Sequence, residues 1–140
     1  MKNLTTAIFA KMTTSSDLYT DIGGRLYKGR AEEGAEYPYV VFMVISDMPQ
    51  KTFSEDYESV LIQFSLFSIA SGSTEIEDMF THLKALYDEC SLSITGSTLV
   101  WMKRQNASLM VEDHTNLALP GGLQRAWHYS VEYEVLTSKS

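Results

Sequence analysis

Apolar residues at Leu4, Ile8, Phe9 and Met12 recur at helical spacing, which predicts a helix over residues 3–13 with one apolar side. The polar stretch Thr13–Asp17 then reads as an exit loop. In "DLYTDIGGRLYKGR" the pair Gly23–Gly24 marks a turn, followed by a short strand through Leu26 and Tyr27. A hydrophilic loop from Gly29 to Gly34 follows, and Pro38 heads the next strand, where a missing N–H does least harm. Residues 39–45, "YVVFMVI", are apolar on both alternating faces, the pattern of a strand covered on two sides. Asp47–Glu58 reads as a long polar loop. Residues 60–69 then alternate, with Val60, Ile62, Phe64 and Leu66 on one face and Gln63 and Ser65 among those opposite.

The clearest helix begins at Thr74, where Thr74 and Glu77 have capping-box spacing and Glu75 and Asp78 add negative charge. Ile76, Met79, Phe80, Leu83, Leu86 and Tyr87 form its wide apolar stripe. Two strands are expected around Gly96, at 92–95 and 98–111, with a second long loop at Glu112–Gly122. The last strand, 124–136, sets Trp127, Tyr129, Val131, Tyr133 and Val135 against His128, Ser130, Glu132 and Glu134. Helix, strands, helix, strands predicts an α+β class. An antiparallel or mixed sheet packs against two helices, one N-terminal and one central, as a single-domain sandwich over residues 1–140.

Composition narrows this only at the margins. A chain of 140 residues has room for one core of its own, and with 21% charged residues it is neither disordered nor membranous. No run reaches the ~18 apolar residues that span a bilayer, and the N-terminus lacks an apolar signal-peptide core, so a cytoplasmic setting is expected. Cys90 is the sole cysteine, which excludes an internal disulfide and a thiolate zinc site and suggests a buried, inert thiol. The net charge of −7 repels phosphate backbones and argues against a general nucleic-acid binder.

Candidate chemistry is sparse. His82, His114 and His128 show no shared metal spacing, and His82 reads as a surface residue of the helix. His128 and Glu132 share a strand face, but four residues separate them by roughly 13 Å, too far for a direct pair. Glu75, Glu77 and Asp78 are explained by the helix N-terminus they occupy. Neither Gly23–Gly24 nor Gly121–Gly122 leads into a phosphate loop, and Lys103–Arg104 is the only adjacent basic pair. No catalytic residue, cofactor site or metal site emerges. A strand apolar on both faces, two long loops and an aromatic closing strand leave two readings, a thick core or a surface buried against copies or a partner.

"LYTDIGGRLYKGRAEEGAEYPYVVF" resembles the tail-completion (tail-terminator) proteins of long-tailed bacteriophages and prophages. Leu18, Ile22, Gly23, Gly24, Arg25, Leu26 and Tyr27, then Pro38, Tyr39 and Val40, carry the likeness. "VLIQFSLFS", "IEDMFTHLKALYDE" and "LQRAWHYSVEYEVLT" follow in order and are similar to the family's second long strand, central helix and last strand. The resemblance implies a ring, usually of six subunits, that caps the tail tube and meets the head connector, with no catalytic residues to carry over. Its partners would be copies of itself, the tail-tube protein and the head connector, with DNA only passing through and no membrane involved. It would be found in the tail or neck of the virion, and in the host cytoplasm during assembly.

On that reading the two loops are the candidate interfaces, through Asp47, Phe53 and Tyr57 in the first and Asn116, Leu117, Leu119 and Pro120 in the second. His128, Glu132 and Glu134 are candidates for a wet, lumen-facing strand surface. Another neck component, a head-completion or minor tail protein, is the alternative. A small acid–base or metal-dependent enzyme and a nucleic-acid-binding regulator are the remaining classes.

Overall fold

The computed structural model describes residues 2–14, 16–32, 34–51 and 55–139. Helix α1, Lys2–Thr13, buries Leu4, Ile8 and Met12, four residues apart and hence one above another on one stripe. Phe9, expected on that stripe, lies at its margin. It is 40% exposed and only edges towards Phe42, with ring centroids 6.4 Å apart. A short helix that the pattern hides, α2, follows at Asp17–Asp21, its N-cap Ser16 Oγ accepting from the Tyr19 N–H at 3.1 Å. Five residues are too few to show a period, which is why this segment reads as loop.

Gly23 and Gly24 end α2 with φ of 58° and 81°, a left-handed turn that side-chain-bearing residues resist. The turn delivers β1, Leu26–Lys28, parallel to β2, Tyr39–Lys51, with Leu26 opposite Val40. Arg25 fixes the approach of the two segments. Its Nε donates to the Pro38 carbonyl at 3.0 Å and its Nη2 to the Tyr37 carbonyl at 3.2 Å. The elaborate entry therefore sets the register of β2, where a one-residue slip would exchange every side chain between faces.

β2 pairs antiparallel with β3, Asp56–Ser68, and β3 with β5, Leu123–Lys139, which pairs with the edge strand β4, Ser97–Thr115. The sheet order is β1-β2-β3-β5-β4. Helix α3, Thr74–Tyr87, buries Ile76, Met79, Leu83 and Tyr87. Its N-cap is Ser73, so Thr74 opens the helix rather than caps it, and Glu77 Oε2 accepts from Ser73 Oγ at 3.3 Å. All three helices contribute to one apolar cluster with Val40 and Phe42 of β2, Val60 to Leu66 of β3 and Val131 to Val135 of β5. Phe64 stacks on Tyr87 at 4.8 Å and meets Tyr133 edge-on, while the Tyr87 hydroxyl donates to the Ile8 carbonyl at 2.7 Å and joins α3 to α1. The fold is α+β, a mixed five-stranded sheet with its helices on one face.

Two expectations need correction. Residues 92–95 make no strand. Leu92 and Ile94 pack partly against the core, but their backbone joins no ladder before Gly96 turns into β4. The segments 47–51 and 56–58 belong to β2 and β3, and 112–115 belongs to β4, so strand takes in part of both expected loops. Their polar sequences mislead because a two-stranded ribbon needs no apolar alternation when side chains pair across it, as Asp113 and Arg125 do at 3.6 Å. His82 lies at the surface as expected, with 33% of its side chain exposed. It is half-buried and hydrogen-bonded to Asp21, tying α3 to α2.

Candidate assembly surface

Because the helices take the even positions of β3 and the odd positions of β5, the alternate residues form a second face without a helix over it. It carries Tyr39, Val41, Leu61, Gln63, Phe67, Ser130 and Leu136 among its less exposed residues. Part of this face covers itself. Tyr39 stacks on Phe67 at 4.8 Å and lies 5.1 Å from Tyr37 and 5.9 Å from Tyr27, and Gln63 Nε2 donates to Ser130 Oγ at 2.6 Å. The two-sided cover that the run 39–45 calls for is thus supplied at Tyr39 and Val41, each 8% exposed, and stops at Met43 and Ile45. β1 flanks only Val40–Phe42, so β2 loses its neighbour where the exposure begins.

At the end nearest the β4–β5 turn, Glu112 joins two histidines. Its carboxylate accepts from His128 Nδ1–H at 2.8 Å and from His114 Nε2–H at 3.0 Å. These bonds fix both tautomers, and His114 Nδ1 then accepts from the Tyr37 hydroxyl. Phe67 stacks on His128 at 4.4 Å and meets His114 edge-on at 5.4 Å. Burial pushes the Glu112 carboxyl up, but the hydrogen bonds from His128 and His114 outweigh it and hold the carboxyl below its ordinary range. Burial raises the Tyr37 and Tyr39 hydroxyls, keeping both protonated as donors. His128 Nε2 is buried without a hydrogen-bond partner among the described residues. Glu112 thus ties His114 on its own strand to His128 on β5, and His114 in turn holds Tyr37, just ahead of β2.

The lumen candidates divide. Glu132 and Glu134 stand half-buried on the open face, the latter accepting from Trp101 Nε1–H at 3.0 Å. His128 shares their face but is sandwiched by Phe67 and Glu112. The candidate interface residues separate into two groups at opposite ends of the sheet. Asp47 and Tyr57 sit on the β2–β3 arm, where Tyr57 pairs with Ser138, while Asn116, Leu117, Leu119 and Pro120 form the turn at Thr115 and Leu123. Phe53 lies outside the described residues. Asn116 Oδ1 accepts from the Ala118 N–H at 3.1 Å and shapes the turn, leaving Leu117 89% exposed and Leu119 half-buried. On the arm, burial raises the Glu58 carboxyl, and Asp47 beside it adds to the rise.

The pattern of residues misses Tyr37, Phe67, Glu112 and His114 as one constellation. Their one local signal is that Glu112 and His114 alternate, which places both on one face once the segment is read as strand.

Residues 6–138 match the model of the family "Tail completion protein gp17". The chain belongs to that family. It is accordingly a structural protein of a phage tail, and the resemblance carried by Leu18–Tyr27 and Pro38–Val40 holds across nearly the whole chain. Among solved structures, a chain from the virion of a native gene transfer agent particle superposes with a TM-score of 0.66 at 12% identity. The match covers 94% of this chain and 92% of that one, and at such low identity it speaks for the fold alone. None of the curated proteins compared matches the chain.

Proposed function

We propose that this protein forms a ring on the finished tail tube, ends tail growth and presents the surface that the head connector meets. The observation that carries the reading is family membership over residues 6–138. The fold is compatible with it. A sheet with helices on one face keeps the other face for a partner or a channel. Within the ring, six subunits are the number the resemblance implies. The tail tube and the head connector are the partners, and assembly takes place in the host cytoplasm.

Glu132 and Glu134 face the lumen in this reading, where carboxylates repel the phosphates of passing DNA and keep the genome from sticking. His128, held under Phe67, supports that surface rather than lining it. The Asn116–Pro120 turn and the Asp47–Tyr57 arm are the contacts along the tail axis, since they project from opposite ends of the sheet.

The test is electron microscopy of the purified protein together with tails assembled without it. Rings of uniform diameter and tubes of uncontrolled length are expected. Tubes of normal length that fail to join heads would overturn termination and make this a head-joining component of the neck. Micromolar binding of duplex DNA in physiological salt would contradict the lumen assignment.

A further inference from the structure

Apart from the three residues of β1, the sheet has two outer edges that no strand among the described residues covers. One is β2 from Met43 to Lys51, beyond the reach of β1; the other is β4. Tracing the pairings across the sheet shows that the two lie at the same height. Ser46 pairs with Leu61, Leu61 with Glu134 and Glu134 with Lys103. The next row on that face runs Met48, Ser59, Leu136, Trp101. Three successive antiparallel pairings also leave β2 and β4 antiparallel to each other. A rotation about an axis along the strands, with no rise, therefore sets the β4 edge of one copy beside the β2 edge of the next. Zero rise is the condition for a closed ring instead of an open filament.

The side chains on those edges match. Met48 is 59% exposed and Trp101 36%, and they occupy one row of one face. A thioether against an indole is a favourable contact. Charge selects which edges meet. Strand residues 43–51 and 56–61 carry Asp47, Asp56 and Glu58 against Lys51, three negative and one positive, for −2. Residues 97–106 carry Lys103 and Arg104 and no acid, for +2. Arg104 is bonded to Asp88 at 3.2 Å, while Lys103 lies over the Trp101 ring at 4.6 Å, beside the edge. Two β2 arms or two β4 strands would repel, whereas an arm against β4 attracts. Pro49 on one edge and bulges at Val44/Ser46, Leu99/Trp101 and Arg104/Asn106 interrupt both edges, which disfavours pairing with arbitrary strands.

We propose that the outer edge of β2 beyond Phe42 in one copy pairs antiparallel with the first half of β4 in the next copy, with Met48 against Trp101 and Ser46 beside Lys103. The inference rests on the ring reading and supplies its subunit contact. The nine residues 43–51 offer about 30 Å of edge at roughly 3.3 Å per residue.

The test places Ser46→Cys and Lys103→Cys together in a Cys90→Ala chain and oxidises the ring fraction isolated by size-exclusion chromatography. A ladder of linked chains is expected on a denaturing non-reducing gel, with no links from either single-cysteine chain. Rings that give no ladder overturn the edge pairing and leave the ring standing. Links in a single-cysteine chain mean that like edges meet, and also overturn it. A chain that stays monomeric at every concentration and on tail tubes overturns ring and edge together. Met48→Ser, exposed in the subunit and harmless to its fold, should raise the subunit dissociation constant at least about tenfold, the scale of one lost apolar contact. An unchanged constant would count against the Met48–Trp101 contact.

Discussion

Replacing Glu112 by Gln removes the carboxylate that accepts from His114 at 3.0 Å and from His128 at 2.8 Å. The amide keeps one acceptor and turns an N–H towards the second imidazole N–H, so one of the two bonds is lost and its donor is left facing another. A hydrogen bond to a charged group contributes about 1.5–3 kcal/mol, and partial exposure of Glu112 roughly halves this, to about 0.75–1.5 kcal/mol. The unfolding entropy of a 140-residue chain, at roughly 2.1 cal/mol/K per residue, is about 0.3 kcal/mol/K, so the melting temperature should fall by about 2.5–5 °C.

The pH dependence gives a second reading of the same bond. The folded carboxyl lies below its ordinary value, so its stabilisation is complete above the unfolded value near 4.5 and is lost as pH falls through the folded one. Differential scanning calorimetry of wild type and Glu112→Gln should show a constant gap from pH 6 to 8 that closes below pH ~4. A gap under ~1 °C at pH 7 would mean that the bridge adds nothing. A gap undiminished at pH 3 would mean that charge is not its source.

Leu83 is fully buried mid-stripe on α3, so Leu83→Ala should cost about 2–5 kcal/mol by cavity formation. A melting shift below ~2 °C would remove that face from the core. Asp21 raises the His82 imidazole above its ordinary value, so the pair stabilises fully below pH ~6.5 and less as pH rises through the folded value. His82→Gln should accordingly destabilise more at pH 5.5 than at pH 8.5, and thermal melts showing the reverse would refute the sign. Leu117→Ser with Leu119→Ser should leave the melt within about 1 kcal/mol of wild type while abolishing attachment to the tail tube in a pull-down, and unfolding instead would place both in the subunit's own core.

Periodicity alone determines the elements that bury a continuous face. Ile76 to Tyr87, Val60 to Leu66 and Trp127 to Val135 each repeat at the spacing of their own geometry, and each repeat is a free-energy preference that local sequence carries. The turn at Gly23–Gly24 is equally local, because positive φ is a property of the residue itself. The arms are different. Asp47–Lys51 and Glu112–Thr115 are strands only because partners lie opposite them, at Asp56–Val60 and Leu123–Ala126, and polar pairs across a ribbon leave no period in either sequence. The Glu112 constellation is hidden for the same reason. Tyr37 and His114 are 77 residues apart, and only the antiparallel pairing of β4 with β5 and the stack of Tyr39 on Phe67 bring their strands together. The equal height of Ser46 and Lys103 is likewise a sum of three registers, set by the packing of whole strands and written in no segment of the chain.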